Sequence, residues 1–323
     1  MHSSTLEGAK RRAMVWGVAC VLSMSVGVTV AAGRATAQQP QPADTMFDAA
    51  IARPAFARRA GPVVAIDEAH NNFHTAGGRY RPFAEVLRSD GFRVRAHVAA
   101  FTRQSLTGVD VLVIANALGQ VRVDDPPKPA FTVAEEVALL EWVRGGGRLL
   151  LIADHDPMGA AVRRLAGRFG VDMSTGRTVD DPHSDWSSGS PSWLVFGRDT
   201  GAVLGEHPIT RGRDSTERVR RVVTFTGQSL AGPPGSTALL PLVAGAFDLM
   251  PDKRQVPATG RAQGLAFVLG RGRVAVFGEA GLFTAQVASA PGVPDRRYGF
   301  TWPGTDDRQL AINTVRWLAG VLP

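Results

Sequence analysis

Histidines and carboxylates in this chain gather just past runs of apolar residues. Pro62-Val-Val-Ala-Ile66 is followed by Asp67, Glu68, His70, Asn71 and His74, and Val109–Ala115 by Asn116. Arg148–Ala153 leads into Asp154 and His155, and a run ending at Gly278 leads into Glu279. Imidazole beside carboxylate moves protons near neutral pH, and the same groups ligate zinc or a harder divalent ion. The candidate catalytic groups are therefore Asp67, His70, Asp154 and His155, with Asp154 or Asp67 as base and His70 or His155 as proton carrier or metal ligand. Glu68, Asn71, His74, Asn116 and Glu279 are the candidate ligand contacts. No HExxH or similarly tight spacing selects a metal, so a divalent cofactor stays open and unassigned. Strand ends are polar in many folds, and Asp or Asn there often caps the next helix. Convergence from separated runs is what singles these residues out.

Such convergence needs a scaffold. Continuous apolar runs of strand length are the mark of strands buried on both faces. Arg81–Asp90 is helix-like and stops at Gly91, and Phe92–Val98 alternates as an edge or second strand would. A loop with Pro126, Pro127 and Pro129 leads to Thr132 with Glu135 three residues on, a capping box opening a helix with Val133, Val137, Leu140 and Val143 at helical spacing. Gly145–Gly147 ends it, and Pro157–Phe169 is again helical. The alternation predicts an α/β fold, a flavodoxin-like doubly wound, mainly parallel sheet. The elaborated C-terminal half reads as strands at Leu194–Phe196, Arg221–Thr226, Ala238–Val243, Gly264–Leu269 and Arg273–Gly278, then a helix at Asp307–Ala319 that puts Leu310, Ala311, Thr314 and Leu318 on one face. In a sheet of this kind ligands bind outside the carboxyl ends of the strands, where the polar residues fall.

The chain has 323 residues, 44% apolar and 20% charged, which excludes a disordered polar chain and a polytopic membrane protein. Lys10, Arg11 and Arg12 precede a run without charge from Ala13 to Gly33, and Ala35-Thr36-Ala37 offers a small-residue exit. Residues 1–37 thus read as a secretory signal peptide, with an anchor formed by residues 13–33 as the rival, and the protein is expected in the periplasm or secreted. Removing residues 1–37 takes away four basic residues and one acid, lowering the formal charge from +7 to +4. It also removes Cys20, the sole cysteine, so residues 38–323 hold no thiol nucleophile and no disulfide. Residues 38–60 read as a linker with room for a short helix, and residues 61–323 as one domain.

Other features are weaker. The arginines from Arg211 to Arg221 are interleaved with Asp214 and Glu217 and read as a solvated face, and an exported protein is not expected to meet nucleic acid. Trp186, Trp193, Tyr298, Phe300 and Trp302 lie in loops, as stacking platforms for a ligand or staples onto the core. His97 and His207 read as structural, and His183 shares a polar loop with Asp181 and Asp185. There is no GxSxG elbow for a serine nucleophile.

The stretches VAIDEAHNNFHT, VDVLVIANAL and FTVAEEVALLEWVRGGGRLLLIADHDPMGA resemble the class I glutamine amidotransferase-like superfamily, best over residues 62–172. The nearest likeness is to an uncharacterised bacterial branch akin to trehalose-utilisation and gliding-motility-type domains, and GRVAVFGEAGLF and NTVRWL match that branch's ending. The resemblance implies the sheet and the site location. It also implies a nucleophilic cysteine after a central strand, where this chain has Ala153-Asp154-His155-Asp156. Glutamine hydrolysis by that mechanism is therefore excluded. The expected function is binding, with hydrolysis as its catalytic form, of a small polar, carbohydrate-like ligand. The alternative is a non-catalytic cell-envelope binding or scaffold module.

Overall fold

The apolar runs build a seven-stranded sheet at the centre of a computed structural model that describes residues 41–121, 127–197, 201–290 and 293–323. In chain order the first half gives β1 (Val63–Asp67), α1 (Arg81–Ser89), β2 (Arg93–His97), β3 (Val111–Ala115), α2 (Val133–Arg144), β4 (Arg148–Ile152) and α3 (Met158–Arg168). The second half begins with short strands: β5 (Asp172–Met173), β6 (Arg177–Val179), β7 (Trp193–Gly197), β8 (Arg221–Phe225), β9 (Leu230–Ala231), β10 (Thr237–Ala238), β11 (Phe247–Leu249) and β12 (Gln255–Pro257), with α4 (Pro208–Arg211) among them. It closes with β13 (Gly264–Leu269), β14 (Gly272–Phe277), β15 (Ala285–Ala290), β16 (Val293–Gly299) and α5 (Asp307–Leu318).

The central sheet runs β10-β13-β14-β4-β3-β1-β2. β2, β1, β3, β4 and β14 are mutually parallel, whereas β13 and β10 add antiparallel at the far edge. The parallel part has the flavodoxin-like order, with the second strand outside the first. Alternate residues of each strand feed two cores. Val64, Ile66, Val113 and Ile152 face Phe83 and Leu87 of α1 and Leu310 and Val315 of α5. Leu112, Ile114, Leu149 and Leu151 face Leu139 of α2 and Val162 and Leu165 of α3. Each such side chain contributes about 1.5–3 kcal/mol by leaving water, which is why these strands carry almost no polar residues until they end.

Three expectations shift. The helix opened by Thr132 is present with its full capping box, but Val133 and Val137 are exposed and the buried positions are Glu135, Glu136, Leu139 and Val143. Partners draw the acids inward: Arg164 and Arg168 bind Glu136 at 2.5 and 3.1 Å, and Glu135 meets a histidine described below. The strand expected over Ala238–Val243 stops at Ala238, because Pro241 has no N–H for a ladder; Leu239 and Leu242 instead bond the Gly264 and Arg261 carbonyls. Residues 41–60, expected as a linker, form no helix and lie against the domain. The Asp44 N–H donates to the Ala285 carbonyl at 2.9 Å, and the Ala55 N–H to Asp90 at 2.8 Å. The signal or anchor segment and Pro126 lie outside the described residues. Among those described, no helix is long and apolar enough to cross a membrane.

Candidate functional site

The carboxyl ends of β1, β3, β4 and β14 bring the expected residues into two clusters rather than one. The first belongs to β1. His70 is buried against the rings of Phe101 and Phe131, at centroid distances of 4.6 and 4.7 Å, and those two rings meet each other at 5.8 Å. Its Nδ1 lies 2.9 Å from both Asp67 oxygens, and its Nε2 lies 2.8 Å from Glu135 Oε1. Carboxylates only accept, so the ring sits there as an imidazolium. Burial disfavours that charge, but the bonds to Asp67 and then Glu135 outweigh it and raise the His70 pKa. Burial likewise opposes a charge on Glu135, yet His70 and Thr132 hold its pKa down, to about 2. With both nitrogens committed, His70 ties the end of β1 to the start of α2 and has no free nitrogen for a metal or a substrate.

The second cluster spans β3, β4 and β14. Asn116, at φ 47°, donates from Nδ2 to Asp154 Oδ2 at 2.7 Å and to His74 Nδ1 at 3.3 Å. His74 is therefore a neutral acceptor; burial first, and Arg79 second, push its pKa down to about 3. Past β14, three successive backbone N–H groups point at two carboxyls. Ala280 donates to Asp154 Oδ1 at 2.7 Å, Gly281 to Glu279 Oε1 at 2.6 Å and Leu282 to Glu279 Oε2 at 2.8 Å. These donors favour ionisation, but burial raises both pKa values, and for Glu279 the neighbouring Asp154 charge adds to it. The half-buried His155 donates from Nδ1 to the Asp156 carbonyl at 2.8 Å, which leaves Nε2 as the basic nitrogen.

Backbone strain concentrates beside this second cluster. Thr175 and Thr226 are β-branched yet have φ of 66° and 78°. Buried Gln228 holds the region: its Nε2 donates to the Ala153 and Asp154 carbonyls at 2.8 and 3.0 Å, and its Oε1 accepts the Thr175 N–H at 2.8 Å. Held strain of this kind accumulates where a structure presents a site.

Two expected residues stand apart. Glu68 Oε1 accepts the Ala76 N–H at 2.8 Å and braces the loop, and Asn71 is exposed with φ 48°. Asn72, which the sequence did not single out, donates to Asp67 Oδ2 at 2.9 Å. Glu135 could be read only as a helix cap, and Arg79 and Gln228 carry no sequence signal because their role depends on chain contacts formed at a distance. Trp193, Trp302, Phe225 and Tyr298 pack edge-on against one another as a staple, whereas Trp186 is exposed. Among the described residues no three His, Cys, Asp or Glu side chains converge as a metal site would require.

The architecture has counterparts among solved structures. The N-terminal domain of mmIFT52 aligns at TM-score 0.57 with 15% identity, covering 79% of this chain and 97% of that one. The likeness is one of fold. A cytoplasmic protein of Salmonella typhimurium aligns at TM-score 0.45 with 16% identity over 80% of this chain and 98% of its own. A thua-like protein of Bacteroides uniformis aligns at 0.40 with 13% identity over 83% and 93%. No protein-family profile and no curated protein matches the sequence.

Proposed function

We propose that the strand-end cluster around Asp154 binds a small polar, carbohydrate-like ligand, with Asp154 and His155 as its contact groups and His70 as a structural tie. The observation that carries this is the meeting of Asp154, Asn116, His74 and Glu279 from different elements beside two strained threonines, at the place where open α/β sheets take ligands. The thiol-free Ala153-Asp154 after β4 leaves the site without the nucleophile that glutamine hydrolysis would need. A thermal-shift screen of the full chain against mono- and disaccharides tests the reading. A stabilising sugar whose effect is lost in His155→Ala supports it; no stabilisation by any sugar contradicts it.

One observation favours hydrolysis as a second reading. His155 commits Nδ1 to the Asp156 carbonyl and leaves Nε2 for a ligand, beside an Asp154 whose pKa burial raises, a pairing suited to proton transfer. Turnover of chromogenic glycosides that disappears in His155→Ala is its test, and its absence across the panel leaves binding alone. Export is proposed on the basic start, the uncharged run and Ala35-Thr36-Ala37. N-terminal sequencing of the protein from cell fractions checks it, with Gln38 expected as the first residue and Met1 contradicting cleavage.

A further inference from the structure

Arg79 is a cation beside the Asp154 cluster, because Phe73, the ring it covers, meets the His74 ring at a centroid distance of 5.6 Å. Its guanidinium lies 3.5 Å over the Phe73 ring, which fixes its plane. Nη1 is buried and has no hydrogen-bond partner among the described residues. The near carboxyl is directed elsewhere, since Asp154 gives its two oxygens to Ala280 and Asn116. Tyr298 repeats the pattern: its hydroxyl is buried without a partner, and the backbone brings it to Arg79, since Thr284 Oγ1 donates to the Arg79 carbonyl while the Thr284 carbonyl accepts the Phe300 N–H at 2.7 Å. A guanidinium has only donors, and burying one unpaired is costly. The residue as a whole is half-buried, so part of its side chain meets solvent beside the buried Nη1.

An oxyanion is the ligand group that accepts a guanidinium N–H and a phenol O–H together. We propose that the ligand of the strand-end site carries such a group, a sugar carboxylate or a sugar phosphate, held by Arg79 and Tyr298. This rests on the reading of that site as a ligand pocket and narrows its ligand to acidic sugars.

Isothermal titration of the full chain with glucose, glucuronate and glucose 6-phosphate tests it. At least one acidic sugar binds about 10- to 100-fold more tightly than glucose, and the two acidic arms separate carboxylate from phosphate. Arg79→Gln abolishes the preference while leaving the glucose affinity in place, and Tyr298→Phe weakens it. Arg79→Lys, a folded comparison should the glutamine variant melt early, keeps the charge but loses the planar fork, so the preference falls. Glucose binding as tightly as both acidic sugars overturns the anion assignment and leaves the pocket reading standing. A preference that survives Arg79→Gln and Arg79→Lys overturns it too. Absence of binding by all three sugars overturns the pocket itself.

Discussion

Asn116 and Asp154 hold each other through two hydrogen bonds: Asn116 Nδ2 donates to Asp154 Oδ2 at 2.7 Å, and Asn116 Oδ1 accepts the Asp154 backbone N–H at 2.8 Å. The pair locks the end of β3 to the end of β4. Asn116 is fully buried and left-handed, a conformation asparagine tolerates better than other side chains. Asn116→Ala strands the buried donors and acceptors and adds backbone strain, so it costs about 2–4 kcal/mol in urea unfolding. A loss under about 0.5 kcal/mol contradicts the lock.

The His70 tie gives a signed pH dependence. Its folded pKa is raised, so its contribution is fully present below the unfolded value of about 6.5 and is lost as pH rises through the folded pKa. Glu135 is depressed to about 2, so its share is fully present above about 4.5 and is lost as pH falls from there through about 2. The stability difference between the wild type and His70→Gln is therefore greatest between about pH 4.5 and 6.5. A difference that grows above pH 8 would refute the buried imidazolium.

His74 acts in the opposite direction. Its pKa falls to about 3 on folding, so the unfolded chain takes up a proton below about pH 6.5 that the folded chain refuses until near 3. Stability drops on that limb by up to about 1.4 kcal/mol per pH unit for each such proton. His207, lowered to about 4, adds a second, so His74→Gln flattens the acid limb in part. An unchanged slope contradicts the neutral assignment.

Arg316 is almost wholly buried, and its guanidinium grips Asp90 at 2.6 and 2.8 Å and Glu217 at 2.9 Å. Arg316→Met leaves Asp90 buried without its charge partner and is expected to cost about 3–5 kcal/mol. Pairing it with Asp90→Asn recovers part of the loss, and strict additivity in that double-mutant cycle would show the contact to be incidental.

The sheet was legible because β1, β3, β4 and β14 are buried on both faces and so read as unbroken apolar runs, each ending at the first charged or amide side chain. Asp67, Asn116, Asp154 and Glu279 were found by that rule alone. Their division into two clusters was not, since it depends on which way the loop after β1 turns. His70 goes outward to α2, and His74 goes inward to Asn116. Glu135 was visible for one of its two partners, because a capping box is local and the bond to His70 is not. The short strands β5, β6, β9 and β11 have too few residues to show a period, and the apolar positions of α2 misled because ion pairs drew Glu135 and Glu136 beneath it.

Titration calorimetry of the tightest-binding sugar with the full chain and with His155→Ala tests the strand-end site most directly. His155 is half-buried, and among the described residues its ring bonds locally, to the neighbouring Asp156 carbonyl, so its loss spares the fold. One saturable site per chain, weakened about tenfold or more in a variant that melts as the wild type does, is the expected result. Equal affinity in the two proteins would place the ligand elsewhere and contradict the assignment.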